Sequence, residues 1–300
     1  MSGTDYEIRA GDYTAVLTAQ AGALRRLRYR GRDLVVPFPG GGPIPDYRGI
    51  IAAPWPNRMR DGTYAFDGVE YRVPVNEPER GSALHGFAFA LDWTLESGNE
   101  SSVALSCVVG PVEGYPFALR LTAHYRLTER GLQGRVIVTN TGNGTAPYGV
   151  CPHPYLVAGP TPLDEWTLQF SAETFLEVTP DRLLPVGTRS VEGHTFDFRV
   201  PRVIGATKMD HAFTDIAFDR SGRARLALLD PSGTGVGMAW DSTCRWLQIH
   251  TADKPAPLPG RRGLAVEPMT CPPDAFNSGT DLIRLAPGAT HEADWWIFGI

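Results

Sequence analysis

Apolar and polar residues alternate with a period of two along most of the chain. In "LRLTAHYRL", Leu119, Leu121, Ala123, Tyr125 and Leu127 alternate with Arg120, Thr122, His124 and Arg126. Successive side chains of a strand point to opposite faces, so this spacing predicts a half-buried strand. "TERG" follows as a turn, and "LQGRVIVTN" alternates again through Leu132, Val136 and Val138, which predicts an antiparallel hairpin. "YAFDGVEY" places Asp67-Gly68 between two short strands, a strong two-residue hairpin signal. "SVALSCVV", "TLQFSAETF", "RLALLD", "RWLQIHT" and "DWWIFGI" are further strand candidates, each read as one strand. No helical pattern is sustained over three turns. The fold class expected is therefore all-β, with antiparallel sheets rather than parallel βαβ units.

Composition agrees. The 300 residues include 33 glycines and 26 prolines without a collagen period, which suits many turns between short strands. With 42% hydrophobic residues and seven tryptophans the chain can bury a large core. No shift in composition marks a linker, so one domain spanning 1–300 is expected. The net charge of −5 and the scarcity of lysine leave no basic patch for nucleic acid. No apolar run reaches membrane-spanning length and the N-terminus has no apolar leader core, so a cytoplasmic protein without a membrane partner is expected. Cys107, Cys151, Cys244 and Cys271 lack metal-type spacing and read as buried thiols.

Candidate chemistry lies in short polar insertions among turn formers. These are Asn57-Arg58 in "APWPNRMRDG", His85 in "SALHGF", His153 in "GVCPHPYL", Asp210 in "KMDHAF" and Glu267 in "AVEPMT". Loops on a rigid sheet are where catalytic groups concentrate. Glu267 has no lysine or arginine within four residues. A buried glutamate without a partner is costly, so it is either satisfied by hydrogen bonds or kept for chemistry. Each of the others has a plain structural reading. His153 between two prolines suits a core histidine bonded to a carbonyl, and His85 before Gly86 a turn histidine. Arg58 suits a partner for Asp61 in a solvated turn, and Asp210 a turn acceptor. His124, His250 and His291 read as surface or satisfied residues. "PGGGPIP" is not a P-loop, and no nucleophile elbow, HExxH or dinucleotide fingerprint is present. His85, His153 and Glu267 could converge on a metal, but the spacing gives no support for one.

Read together, six segments resemble the aldose 1-epimerase (galactose mutarotase) family. They are "PNRMRDGTYAFDGVEYRVPVNEP", "ALHGF", "EGYPFALRLTAHYRLT", "HPYL", "MDHAF" and "EPMTCPPDAFN", in the family's order from about residue 50 to residue 280. The form "APWPNR" with "HPYL" is similar to an uncharacterised bacterial branch. The resemblance implies a large antiparallel β-sandwich with a sugar pocket across one sheet. It implies that Glu267 is the general base, His153 the general acid, and His85 a second histidine beside the ring oxygen. It further implies that Asn57 and Arg58 bond the sugar and Asp210 holds ring hydroxyls.

The expected function is interconversion of α and β anomers of a free aldohexose. No cofactor and no metal are needed, and a monomer or homodimer is expected. Among the aromatic residues, Trp55 is a candidate for packing against the sugar's apolar face. Two departures from the family pattern, Leu156-Val157-Ala158 after the His-x-Tyr and Phe87 after Leu-His-Gly, are expected to line the pocket and alter sugar preference. Three rival readings remain: a hexose-6-phosphate epimerase using Arg60, Arg72 or Arg80, a non-catalytic sugar-binding protein, and a metal-dependent hydrolase.

Overall fold

A computed structural model describes residues 3–255 and 257–300. The long hairpin forms as its alternation predicts, with Leu119–Thr128 paired antiparallel to Gly131–Asn140. The apolar set of the first strand is buried, while Arg120, His124 and Arg126 are exposed. Asp67 (φ 50°) and Gly68 (φ 79°) both take left-handed backbone between strands Thr63–Phe66 and Val69–Arg72. That is the geometry of a two-residue hairpin whose turn matches strand twist. Among the described residues the only α-helix is Ala275–Ser278, with three short 3-10 turns besides. All four cysteines are free and buried, as expected.

Two antiparallel sheets carry the architecture. One has nine strands in the spatial order Thr94–Asn99, Ser102–Val109, Leu119–Thr128, Gly131–Asn140, Thr290–Gly299, Gly235–Asp241, Arg223–Leu229, Thr167–Phe170 and Arg202–Val203. The other has six, in the order Tyr155–Leu156, Leu264–Met269, Trp246–His250, Asp210–Ile216, Ala172–Val178 and Pro185–Ser190. "TLQFSAETF" is thus two strands, not one. The chain leaves the nine-stranded sheet after Phe170 and enters the six-stranded sheet at Ala172. A further four-stranded sheet is built from strands between Asp5 and Asp33.

The two main sheets share one hydrophobic core. The nine-stranded sheet supplies Leu121, Val138, Trp240 and Ile297, and the six-stranded sheet Phe213, Leu247, Ile249 and Val266. The same cluster takes Ile8, Leu17 and Leu27 from the N-terminal strands.

Period two then decides what the outer face of the six-stranded sheet holds. Leu247, Ile249 and Val266 point into the core, so Gln248, His250 and Glu267 point the other way. Register aligns them: Gln248 lies opposite Glu267 and Asp210 opposite His250. This row of polar side chains is the floor on which the candidate site stands.

Candidate active site

The walls come from two loop pairs knitted to that floor. Asn57 (φ 53°) and His85 (φ 63°) both take left-handed backbone, which asparagine and histidine tolerate better than most residues. They hold each other: the His85 amide donates to the Asn57 carbonyl (3.0 Å), and the Asn57 amide donates to His85 Nδ1 (3.3 Å). The next residue must be glycine, because a Cβ at Gly86 would lie 2.1 Å from the Ala53 carbonyl oxygen. His153 is tied to the other loop by its own backbone. Its amide donates to the Ile50 carbonyl (3.1 Å) and its carbonyl accepts from the Gly49 amide (2.8 Å).

These elements enclose a cavity of about 480 Å³, a volume in the range of small-ligand sites. Asn57, Arg58, His85, His153, Asp210 and Glu267 all line it. His153 Nε2 stands 3.3 Å from Glu267 Oε1, and the rings of His85 and His153 meet edge to face with centroids 4.8 Å apart. The Cys151 thiol donates to the second carboxylate oxygen, Glu267 Oε2, at 3.8 Å. Glu267 and Asp210 lie within strands rather than in loops, and Arg58 begins one.

Burial sets the charge states. It pushes the Glu267 carboxyl well above the usual carboxylate range, with nearby Asp210 adding to the push. It pushes His153 down to about 3, helped by His250. His85 is also held well below its ordinary value by burial and then by His153. Asp210 behaves differently. Burial would raise it, but His250, Arg58 and the Gln248 amide together hold it low. The deep end of the site therefore favours an uncharged acid–imidazole pair, and the neighbouring aspartate stays ionised.

Arg58 does not pair with Asp61. It forms a bidentate pair with buried Glu77, Nε to Oε2 at 2.7 Å and Nη2 to Oε1 at 2.9 Å. Its Nη2 also lies 3.6 Å from Asp210 Oδ2. Asp61 binds Arg182 instead. The burial of Arg58 explains the switch: a desolvated guanidinium needs a carboxylate in matching fork geometry, which a solvent-facing aspartate does not supply.

Two other expectations are corrected. Trp55 does not line the cavity. Its indole N–H donates to the Ala83 carbonyl (3.2 Å), and its ring is packed edge-on by Phe87 and Phe276. Phe87, Leu156 and Val157 pack against the main core or belong to it, as does Ala158, so none lines the cavity. Leu156 faces inward because Tyr155, the preceding residue of the same strand, faces the cavity. His250 is satisfied, as one of the two readings had it, with Nδ1 3.2 Å from the Met209 carbonyl oxygen, and it also lines the cavity, 3.9 Å from Asp210 Oδ1.

Glu77, Tyr47 and Gln248 escaped the sequence reading. Gln248 donates to Asp210 Oδ1 at 2.6 Å. Its only sequence signal was the face it shares with Trp246 and His250 in "RWLQIHT".

One ligating atom from each of His85, His153 and Glu267 lies within 4.8 Å of the others, so the set could surround a cation. The bond to His85 Nδ1 speaks to this. A neutral ring that accepts there carries its proton on Nε2, and a protonated nitrogen donates rather than ligates. The arrangement thus suits a ligand offering lone pairs and hydroxyls.

Comparison with known proteins agrees with the geometry. The aldose 1-epimerase family model matches residues 4–297. The chain belongs to the aldose 1-epimerase family. It is 34% identical to the uncharacterized protein YihR of Escherichia coli, over 99% of this chain and 94% of that one. It is 26% identical to galactose mutarotase of Bos taurus, over 83% of this chain and 78% of that one. A putative aldose 1-epimerase from Escherichia coli superposes with a TM-score of 0.85 at 22% identity, covering 99% of both chains, which shows the fold they share. Among the described residues no helix is long and apolar enough to cross a membrane.

Proposed function

We propose that this protein interconverts the α and β anomers of a free aldose, with His153 and Glu267 as the proton-handling pair. The supporting observation is their 3.3 Å contact on the wall of a cavity that Asn57, Arg58 and Asp210 also line. Glu267 takes the proton of the C1 hydroxyl, C1=O forms, and the C1–O5 electron pair moves to O5. His153 delivers a proton to O5. C1 then rotates about C1–C2, and the O5 hydroxyl attacks the other face while both transfers run backward. Atoms and protons balance within the pair and the sugar, so a cofactor is not required.

The pair shares one proton. With no sugar bound, burial favours that proton on Glu267 beside a neutral imidazole. A hydroxyl donating to Glu267 stabilises the carboxylate, and the proton then belongs on His153, where O5 needs it. Arg58, Asn57 and Asp210 hold the remaining hydroxyls of the open chain, and Gln248 holds Asp210 in place.

This sharing has a consequence for pH. A second proton on the pair abolishes the base, and it must go onto an imidazole held down to about 3 by burial and His250. The ratio kcat/KM, after subtraction of the buffer rate, reports the sugar-free pair, so it should stay level as pH falls through 6.5 and decline only as pH nears about 3. A half-maximal fall near 6.5, where an ordinary histidine titrates, would contradict the pairing.

The charge around the cavity favours an uncharged sugar over a sugar phosphate. Among the described residues each lining cation already has a carboxylate: Arg58 and Arg80 share Glu77, and Lys254 contacts Asp46. A phosphate dianion would have to displace these pairs. Arg60 lies outside the lining with its side chain half exposed, and Arg72 belongs to the Thr63–Arg72 hairpin. A polarimetric screen of freshly dissolved free aldoses beside their 6-phosphates tests this. Accelerated mutarotation of at least one free aldose is expected. Acceleration confined to the phosphates would overturn the substrate class.

A further inference from the structure

The cavity has an aromatic wall, but it is not the residue the sequence suggested. Tyr47 ends the short 3-10 turn Pro45–Tyr47, in the part of the chain that carries none of the six family-like segments. Its ring is half-buried and lines the cavity. It sits 4.9 Å from His85 and 6.4 Å from His153 between centroids, and is braced edge-on by Phe89 at 5.2 Å.

The backbone is strained to put it there. Asp46 (φ 52°) and Tyr47 (φ 56°) are consecutive L-residues in the left-handed region. A bulky side chain in that region is a genuine outlier, and such strain persists only where the surroundings over-determine it.

The surroundings do so here. Asp46 accepts from Arg48 Nη2 at 2.7 Å and from Lys254, which also lines the cavity. Gly49 anchors the far side. Its amide donates to the His153 carbonyl (2.8 Å), and its own carbonyl accepts from the Leu24 amide (2.9 Å). A Cβ at Gly49 would stand 2.1 Å from the Leu24 carbonyl oxygen, so the close approach requires glycine. The segment presenting Tyr47 is thus bonded to the backbone of His153 itself. Burial holds the Tyr47 hydroxyl above the ordinary tyrosine range, with Glu77 and Glu79 adding to the rise.

We propose that Tyr47 contacts the substrate and sets sugar specificity: its ring packs against the C–H face of the sugar beside His85 and His153, and its hydroxyl bonds one sugar hydroxyl. An aromatic face against pyranose C–H groups gives affinity with defined orientation, and the phenol adds a polar handle. Trp55 cannot serve, because its ring is enclosed by Phe87, Phe276 and the Ala83 carbonyl. The inference rests on the anomer-exchange reading for its substrate class.

The test compares wild type, Tyr47→Phe and Tyr47→Ala. It uses kcat and KM for several epimeric free aldoses, calorimetric sugar binding, and a melting curve to confirm that each variant is folded. Tyr47→Ala should raise KM about tenfold or more while kcat changes less than about threefold. Tyr47→Phe keeps the wall and should change the ranking of KM among epimers, with a smaller rise overall. A folded Tyr47→Ala whose KM and binding constant stay within twofold of wild type for every aldose would overturn the inference and leave the anomer-exchange reading standing. If wild type binds sugars without exchanging them, the binding constants of the variants decide the role of Tyr47 and the catalytic reading alone fails. If wild type neither binds nor exchanges any aldose, both fail.

Discussion

Glu267→Gln should abolish most anomer exchange while leaving sugar binding and the fold intact. Glutamine matches the size of glutamate and keeps an acceptor oxygen for the Cys151 thiol, so packing is preserved. It cannot take a proton from the C1 hydroxyl. Loss of one positioned acid–base group costs about 10²–10⁴-fold in rate. The expected result is a fall of that size in kcat by polarimetry, with a calorimetric binding constant within a few-fold of wild type. Stability gives an independent reading. The folded pKa of Glu267 is raised above its unfolded value by burial. Its favourable contribution is therefore complete below the unfolded carboxylate range and is lost as pH rises through the folded value. Wild type should lose stability relative to Glu267→Gln over that rise. Equal exchange rates in the two proteins would remove Glu267 from the mechanism.

The second large effect is expected at Glu77, a residue that does not handle the reacting atoms. Glu77→Ala strips the bidentate partner from a guanidinium that is 8% exposed. What remains for Arg58 is Asp210 Oδ2 at 3.6 Å, and Arg80 loses its 3.1 Å contact as well. Breaking a buried pair by removing one partner costs about 3–5 kcal/mol, because the other charge stays desolvated. For a chain of this length that lowers the melting temperature by roughly 5–10 °C. Released from its fork, Arg58 can fold onto Asp210 or turn toward solvent, and KM should rise with it. Glu77→Gln keeps one acceptor and should fall between the two. A Glu77→Ala protein melting within about 2 °C of wild type would show that the pair does not hold the cavity wall.

The local elements of the fold were legible because they follow from neighbours in sequence. Alternation at Leu119–Leu127 and the Asp67-Gly68 turn each specify a strand or hairpin without reference to distant residues. Six candidate site residues were legible too, since each stands out against turn formers. What sequence could not supply is which face of a strand meets the cavity. His250 lines the cavity and Gln248 bonds Asp210 from the same face because Leu247 and Ile249 fill the core, and that choice depends on sheets joined far away in the chain. Trp55 shows the converse. Its ring is large enough to hold a sugar, but Phe87 and Phe276 claim it. Glu77 was hidden by proximity: Asp61 is nearer to Arg58 in sequence, yet burial, which sequence does not display, makes the matching carboxylate the one that counts.

The central claim is that His153 and Glu267 pass protons to and from a hemiacetal, and equilibrium exchange NMR on a free aldohexose tests it most directly. With the wild-type protein dialysed against chelator, magnetisation should transfer between the α and β C1 protons at a rate proportional to protein concentration, far above buffer. Transfer no faster than buffer for aldoses that demonstrably bind in the cavity would contradict the claim.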